Sequence, residues 1–557
     1  MAANSIRKRQ TLRGGEQRRY QSSDSKSSSG SEIKASSDGS NKSSGSGKLS
    51  TKEANTEASS AGGTRRSLTF AIGGVLTLLG VAGYTFFRQP TVDIHSAATP
   101  STSILSSPTQ TALESVSTKR IEAKKKLDGL PSKERREEAK KLGMLTEEEV
   151  DAILHAKENS WHLAPSSSNA LGLRVDTNQV SSNDPIEDYL AWSPLGIFSE
   201  AEADKSPSVP RYMFSVFDGH AGYMCAEQLS LRLAPMLNES LDVVSKLVNQ
   251  ESSTSEIGKE LVSTVKQLKR DSGIEWDQIP LALTATFIRM DYELVHGALA
   301  EFRKLQKMST IDKLLGPAVS GSCGIVAVVD TEAKEVVVGN TGDSRALLGV
   351  RLKDGRWKAV RLSEDQTGSN QKELERMMRE HPGEPSVISR GRVLGALMPT
   401  RAFGDCRYKW PLEAQQDLFP VLYSRGHRYA TTPSNYNTPP YVTAKPVIVK
   451  HQLSENDKFI VIASDGLYDQ LSDEEVIDSV AQWYEARNNV NKDAGSGSTL
   501  TTQDSNGATH LIRAALSTDR LGRRSDSVIR RLLAIPPPHS RRFRDDISVT
   551  IVTLNRD

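Results

Sequence analysis

Three short apolar β-runs in this chain stop at, or start from, an aspartate. They are Val216-Phe217-Asp218-Gly219-His220, Val461-Ile462-Ala463-Ser464-Asp465-Gly466 and Arg544-Asp545-Asp546-Ile547. Runs rich in β-branched and aromatic residues pack as strands. An acid at the end of such a strand is lifted out of the core to the sheet rim, yet stays rigidly held. Glycine directly after the aspartate is expected to let the backbone turn tightly and bring its carbonyl close to a ligand. Each piece alone reads as an ordinary turn or an edge-blocking charge. The set carries more than its members.

Carboxylates converging on one rim repel each other unless cations neutralise them. Oxygen donors without a Cys or His cluster point to Mg²⁺ or Mn²⁺ rather than zinc. Such cations acidify the water they hold. The three cysteines, Cys225, Cys323 and Cys406, are far apart in sequence and form no Cys-x-x-Cys pair, so neither a zinc ribbon nor a disulfide framework is expected. Reduced, structural thiols are the simplest reading. A formal net charge of +2 over 557 residues gives no basic field for nucleic acid.

Further β-rich runs lie at 212–217, 324–329, 335–338, 346–350, 459–463 and 547–552, with helical stretches at 371–380 and 474–487 between them. This pattern indicates a mixed α/β domain over residues 170–555. Two segments read as insertions. Residues 411–440 contain Pro420, Pro433, Pro439 and Pro440 and are expected to be irregular. Residues 488–508 are of low complexity and read as a loop.

The N-terminal third is different. Residues 1–66 carry 13 Lys/Arg against 6 Asp/Glu among runs of Ser and Gly, a composition that cannot bury enough apolar surface to fold. The extreme N-terminus is Arg-rich, Ser-rich and nearly free of acids, as mitochondrial targeting segments are. Residues 67–87 then run uncharged between Arg66 and Arg88, long enough for one transmembrane helix. Residues 88–116 read as a Ser/Thr/Pro linker and 117–160 as a charged helical stalk, broken at Pro131 and restarted at Thr146. The expectation is a single-pass protein of the mitochondrial inner membrane, with its catalytic domain in the matrix or the intermembrane space.

Five segments together carry a family resemblance: VFDGHAG (216–222), NTGDSRALLG (340–349), LGALMPTRAFGD (394–405), ASDGLYDQLSDEE (463–475) and RDDISVTIV (544–552). The chain resembles the metal-dependent 2C-type protein serine/threonine phosphatases over roughly 175–555. Within that family it is most similar to the mitochondrial pyruvate dehydrogenase phosphatase branch, through NQVSSNDPIED (178–188), Ala221, EHPGE (380–384), LMPTRAFGDCRYKW (397–410) and YNTPPYVTAKP (436–446). The resemblance implies an α/β (α+β) fold: a four-layer sandwich of two antiparallel β-sheets flanked by helices.

It also implies roles. Asp218 bridges two catalytic metals, the Gly219 carbonyl binds one of them, and Asp465 and Asp545 complete the ligands of the other. Glu187 acts one layer further out, through water. Asp343, with Asp465 and Asp469, holds a third metal. His220 is the general acid that protonates the leaving Ser/Thr oxygen, a task suited to an imidazole pKa. Read from the residues alone, the alternative for His220 is a histidine that merely caps the turn, the lesser of its two readings, and Asp343 is as readily a turn acid. Asp405 and Arg401 read as braces of the rim, Asp546 as a turn former or support, and Cys225 as packing.

One departure stands out. Most of the family has a phosphate-gripping arginine where this chain has Asn183, which donates hydrogen bonds but brings no charge. The residue that grips the phosphate is left open. The implied partner is a phosphoprotein, the pyruvate dehydrogenase complex. Alternatives are another phosphoprotein of the intermembrane space, or a membrane-tethered pseudophosphatase that binds without hydrolysing.

Overall fold

A computed structural model describes residues 107–196, 210–248, 262–263, 265–267, 277–492, 504–519 and 521–555. The expected basic tail (1–66), the membrane segment (67–87), the first part of the linker (88–106) and the middle of the 488–508 loop lie outside these residues. Among the described residues no helix is long and apolar enough to cross a membrane.

The chain enters through three helices, α1 (Ser107–Asp128), α2 (Ser132–Ala139) and α3 (Glu147–His155), and four strands follow: β1 (Asn159–Leu163), β2 (Gly172–Val180), β3 (Tyr189–Leu195) and β4 (Arg211–His220). Helices α4 (Met224–Val248), α5 (Gln278–Tyr292), α6 (Ala298–Leu305) and α7 (Ile311–Val319) precede β5 (Gly321–Asp330), β6 (Glu335–Thr341), β7 (Arg345–Arg351) and β8 (Trp357–Arg361). Then come α8 (Gln371–Glu380), α9 (Leu412–Ser424), β9 (Val447–Gln452), β10 (Asp457–Ala463), the short α10 (Asp465–Tyr468), α11 (Asp473–Lys492), α12 (Gly507–Ser517), α13 (Asp526–Ala534) and β11 (Ile547–Asn555).

The strands form two sheets of antiparallel pairs, ordered β1-β2-β11-β10-β7-β8 and β9-β6-β5-β4-β3. The period of two along each strand explains the layering. In β5, Ile325, Ala327 and Val329 enter a core shared by both sheets, while Val326 and Val328 enter a second core with α4, α5, α6 and α7. In β10, Ile460 and Ile462 join the shared core, while Phe459, Val461 and Ala463 meet α11, α12 and α13. Three cores therefore separate four layers: helices, sheet, sheet, helices. Strands buried on both faces read as near-continuous apolar runs, as Gly321–Asp330 does.

The N-terminal helices correct the expected linker and stalk. Helix α1 begins at Ser107, inside the expected linker, and the segment 107–155 packs onto the domain. Val116, Val150 and Leu154 are buried in the core that holds β10 and α12. Arg120 donates to the Leu533 carbonyl at 2.7 Å, and Lys119 pairs with Glu149 at 2.6 Å. The apolar stripe is narrow (Val116, Ala123, Leu127) and lies hidden among charges. The break at Pro131 and the start at Thr146 hold, the latter as a reciprocal cap between Thr146 and Glu149.

Residues 411–440 are also less irregular than expected. Helix α9 runs through Pro420, and Ala414, Phe419 and Leu422 bury against the α4–α7 core. Both ends of the 488–508 segment are helical, with α11 reaching Lys492 and α12 capped by Asn506, whose side chain accepts from the Ala508 and Thr509 amides.

Candidate metal centre and active site

The acids meet because the two sheets present their strand ends at one edge. Strand β10 pairs with both β11 and β7, which sets Ala463 opposite Val549 on one side and Arg345 on the other. Asp465, Asp545 and Asp343 leave those strands close together. From the other sheet, Asp218 lies opposite Cys323 in the β4–β5 ladder, and the Cys323 thiol donates to Asp343 Oδ1 at 3.0 Å. The result is that carboxylate oxygens of Asp218, Asp343 and Asp465 lie within 4.8 Å of one another. The Asp465 amide points at Asp218 Oδ2 from 3.4 Å.

The glycines after Asp218 and Asp465 serve this convergence in a different way than a turn requires. Neither has a positive φ. A Cβ on Gly219 would stand 2.2 Å from the Glu187 carbonyl oxygen, and one on Gly466 2.0 Å from that of Asp546. Glycine here allows close stacking of acid-bearing segments.

Burial, followed by the charge of neighbouring acids, holds Asp218 and Asp465 well above the ordinary carboxylate range. Burial likewise raises Asp343 and Glu187. Asp545 is pushed up to about 6 by burial and by Asp546 and Asp469, against the opposing pull of Arg541 and the Asp546 amide. Arg541 Nη2 stands 2.7 Å from Asp545 Oδ2. Asp218 and Asp465 form no ion pair among the described residues. A nest of half-buried carboxylates with only oxygen donors and too little positive charge fits a hard divalent cation. Asp218, Asp343 and Asp465 make the tightest group, with Asp545 beside it and Asp469 one helical turn beyond Asp465.

A second layer holds these acids. Asp546 accepts from the Ser182 amide at 2.5 Å, the Asn183 amide at 3.0 Å, Asn183 Nδ2 at 3.0 Å and the Glu187 amide at 2.9 Å. Its reading as a support holds: it moulds the whole 182–187 loop. Asn183 Nδ2 also donates to Glu187 Oε2 at 3.2 Å, and Glu187 Oε1 accepts from the Gly222 amide at 2.7 Å. Both amide hydrogens of Asn183 are thereby engaged with carboxylates.

His220, the last residue of β4, places Nε2 2.7 Å from Asp405 Oδ2. Burial pulls the imidazole pKa down, but Asp405, by charge and hydrogen bond, and then Asp343 and Glu187 outweigh it, and the net shift is upward. Asp405 thus braces the rim by holding the histidine. Arg401 braces through Glu373, which it meets at 2.7 Å, and the Lys445 carbonyl. Cys225 is fully buried and its thiol pKa is driven well up by burial, as fits packing.

Three contributors, Asp188, Arg541 and Gly321, escaped the sequence reading, as did the pairing of Asp405 with His220. Asp188 is buried with one carboxylate oxygen unpartnered; its place beside Glu187 in the same Ile-Glu-Asp run was the available signal. Arg541 had none beyond its nearness to Asp545. Asp405 lies far from His220 in sequence. Gly321 faces both: a Cβ there would stand 2.2 Å from His220 Nε2 and 2.5 Å from Asp405 Oδ2.

The family described as "Protein phosphatase 2C" matches residues 279–517. The chain is 33% identical over 451 residues to the mitochondrial [pyruvate dehydrogenase [acetyl-transferring]]-phosphatase 1 of Saccharomyces cerevisiae, covering 73% of each chain. It is 35% identical over 400 residues to a protein phosphatase 2C homolog of Schizosaccharomyces pombe, covering 68% of this chain and 80% of that one. It is 30% identical to the human mitochondrial [pyruvate dehydrogenase [acetyl-transferring]]-phosphatase 1, covering 74% of this chain and 83% of that one.

Proposed function

The chain belongs to the protein phosphatase 2C family and is a protein serine/threonine phosphatase, and from that premise we propose that it dephosphorylates the pyruvate dehydrogenase complex in mitochondria. What supports the chemistry most is the juxtaposition of the Asp218, Asp343 and Asp465 carboxylates with the His220–Asp405 pair. What supports the substrate is the naming of the yeast and human relatives.

Asp218, the Gly219 carbonyl, Asp465 and Asp545 hold two Mg²⁺ or Mn²⁺ ions in this reading, with Glu187 in support and Asp343 serving a third. Bound there, the cations supply an acidified water and neutralise charge on the phosphoryl group. The protein's own residues do the rest. The carboxylates would fix where the cations, and through them the reacting phosphate, sit. Asp405 takes one imidazole N–H of His220, at Nε2, and leaves the N–H at Nδ1 for the departing Ser or Thr oxygen. Protonating that oxygen as the P–O bond breaks yields a neutral hydroxyl. Hydrolysis then needs no covalent enzyme intermediate.

Residues 67–87 anchor the protein in the inner mitochondrial membrane in this proposal, with 1–66 as the targeting segment. The full-length protein with Mn²⁺ should release phosphate from phosphorylated pyruvate dehydrogenase faster than from unrelated phosphoproteins. Equal rates would sink the substrate assignment, and no release from any phosphopeptide would leave a binding-only protein. Protease protection of intact and swollen mitochondria decides the side. Loss of protection on opening the outer membrane alone would place the domain in the intermembrane space and exclude a matrix substrate.

A further inference from the structure

The substrate's phosphoryl oxygens are negative and arrive at a rim made of acids. Beside the proposed metal ions, a cationic side chain would hold and orient the phosphate, and position 183 does not provide one: both hydrogens of Asn183 Nδ2 go to Asp546 and Glu187, at 3.0 and 3.2 Å. The nearby arginines are committed elsewhere. Arg544 is buried and donates to the Val180, Ser181 and Asp545 carbonyls. Arg401 is held by Glu373, and Arg345 by Asp365 and Asp473.

Arg541 is different. It lies in a single 3₁₀ turn, His539–Arg542, just before the Asp545–Asp546 pair. The next residue back, Ser540, is fully buried, and its hydroxyl donates to the Ser182 carbonyl at 2.8 Å. That bond stitches the turn to the loop carrying Asn183, so Arg541 stands across the same mouth. Its side chain is 50% exposed, and its one ion pair among the described residues is with Asp545, at 2.7 Å. The charges facing it are Asp545, Asp465, Asp218, Asp546 and Glu187. A guanidinium offers five donors in a rigid fork, so one edge can stay on Asp545 while another meets a phosphate.

We propose that Arg541 grips the substrate's phosphoryl oxygens, taking over from a different loop the task that Asn183 cannot perform. The assignment rests on the phosphatase reading above. Arg541 binds and orients the phosphate; Asp545 aims it.

The test uses the full-length protein saturated with Mn²⁺, a phosphothreonine peptide and inorganic phosphate as a competing product. Arg541→Ala should raise both the KM for peptide and the inhibition constant of phosphate by roughly ten-fold or more, the loss of charge-assisted hydrogen bonds. Arg541→Lys should fall between, keeping the charge but not the fork. Mn²⁺ affinity, followed by calorimetry, should not fall, since the substitution removes a cation that competes for Asp545. Unchanged KM and phosphate inhibition in an active Arg541→Ala protein would overturn the inference, as would a drop in Mn²⁺ affinity that alone accounts for the lost activity. A wild-type protein that releases no phosphate would instead overturn the phosphatase reading, and this one with it.

Discussion

Two sets of sunken acids in this molecule are treated in opposite ways. Glu373 on α8 is buried, and Arg401 and Arg376 each reach it at 2.7 Å. Burial alone would raise its pKa, but the hydrogen bonds and charges of Arg401 and Arg376 win and lower it to about 2. At the sheet edge, Asp218, Asp343 and Asp465 crowd within 4.8 Å, and all three are shifted upward. The first set carries its own counter-charge and holds the fold. The second lacks enough, which fits the divalent cations proposed for it. Balance marks structure; imbalance marks function.

The comparison breaks most visibly at Asp465. Asp465→Asn should cut phosphate release on the order of a thousand-fold or more by weakening the metal site. It should also raise the melting temperature of the metal-free protein, since it removes one repelling charge. Loss of activity together with lower metal-free stability would mean that Asp465 is structural, like Glu373. Adding Mn²⁺ should stabilise the wild type against heat and leave Asp465→Asn almost unmoved.

Glu373→Gln should do the reverse. Removing one partner of a buried network leaves Arg401 without its carboxylate and Arg376 with Glu380 alone, at a cost of about 3–5 kcal/mol in denaturant unfolding. An unchanged unfolding midpoint would contradict the balance argument. The sign with pH follows from the lowered pKa. A carboxyl whose folded pKa lies below its unfolded value adds stability above the unfolded pKa and loses it as pH falls. The Glu373 contribution should therefore be complete above an ordinary glutamate pKa and drain away toward pH about 2. Glu373→Gln should flatten that part of the stability profile.

Gly321→Ala probes the join between the sets and the chemistry. Its Cβ would meet His220 Nε2 at 2.2 Å and must push the histidine off Asp405. Turnover should drop about a hundred-fold, the scale of a lost general acid, with Mn²⁺ affinity retained. Unchanged turnover would remove His220 from the proton-transfer role. The smallest effect is expected at Ala221, whose φ of 59° is a left-handed conformation. An L-residue there costs roughly 1–2 kcal/mol, and glycine loses roughly 0.5–1 kcal/mol of chain entropy. Ala221→Gly should stabilise by about 0–1.5 kcal/mol, measured by thermal unfolding. A destabilised variant would show that the Ala221 methyl packs usefully.

The strand runs, the helices at 371–380 and 474–487, and the cap at Thr146 were readable because each depends on neighbours a few residues away, whereas the extension of the second helix to Lys492 falls in a segment that reads as a loop. The helical character of 117–128 was readable too, but the start of α1 at Ser107 and its packing on the domain were not, because its apolar stripe is thin and matters only against α2, α3 and α13. Helix α9 was not, because prolines were weighed more heavily than the apolar face formed by Ala414, Phe419 and Leu422.

The sequence by itself determined which acids end strands, that oxygen donors dominate, and that position 183 lacks a cation. Those are local facts of residue type and order. Only the tertiary structure decided that Asp343 joins Asp218 and Asp465, that Asp405 holds His220, and that Arg541 faces the acids from beside Asn183. Each of these pairs is joined by the register of two packed sheets or by loops stitched across them. A charge interaction depends on distance in space, and distance along the chain does not reveal it.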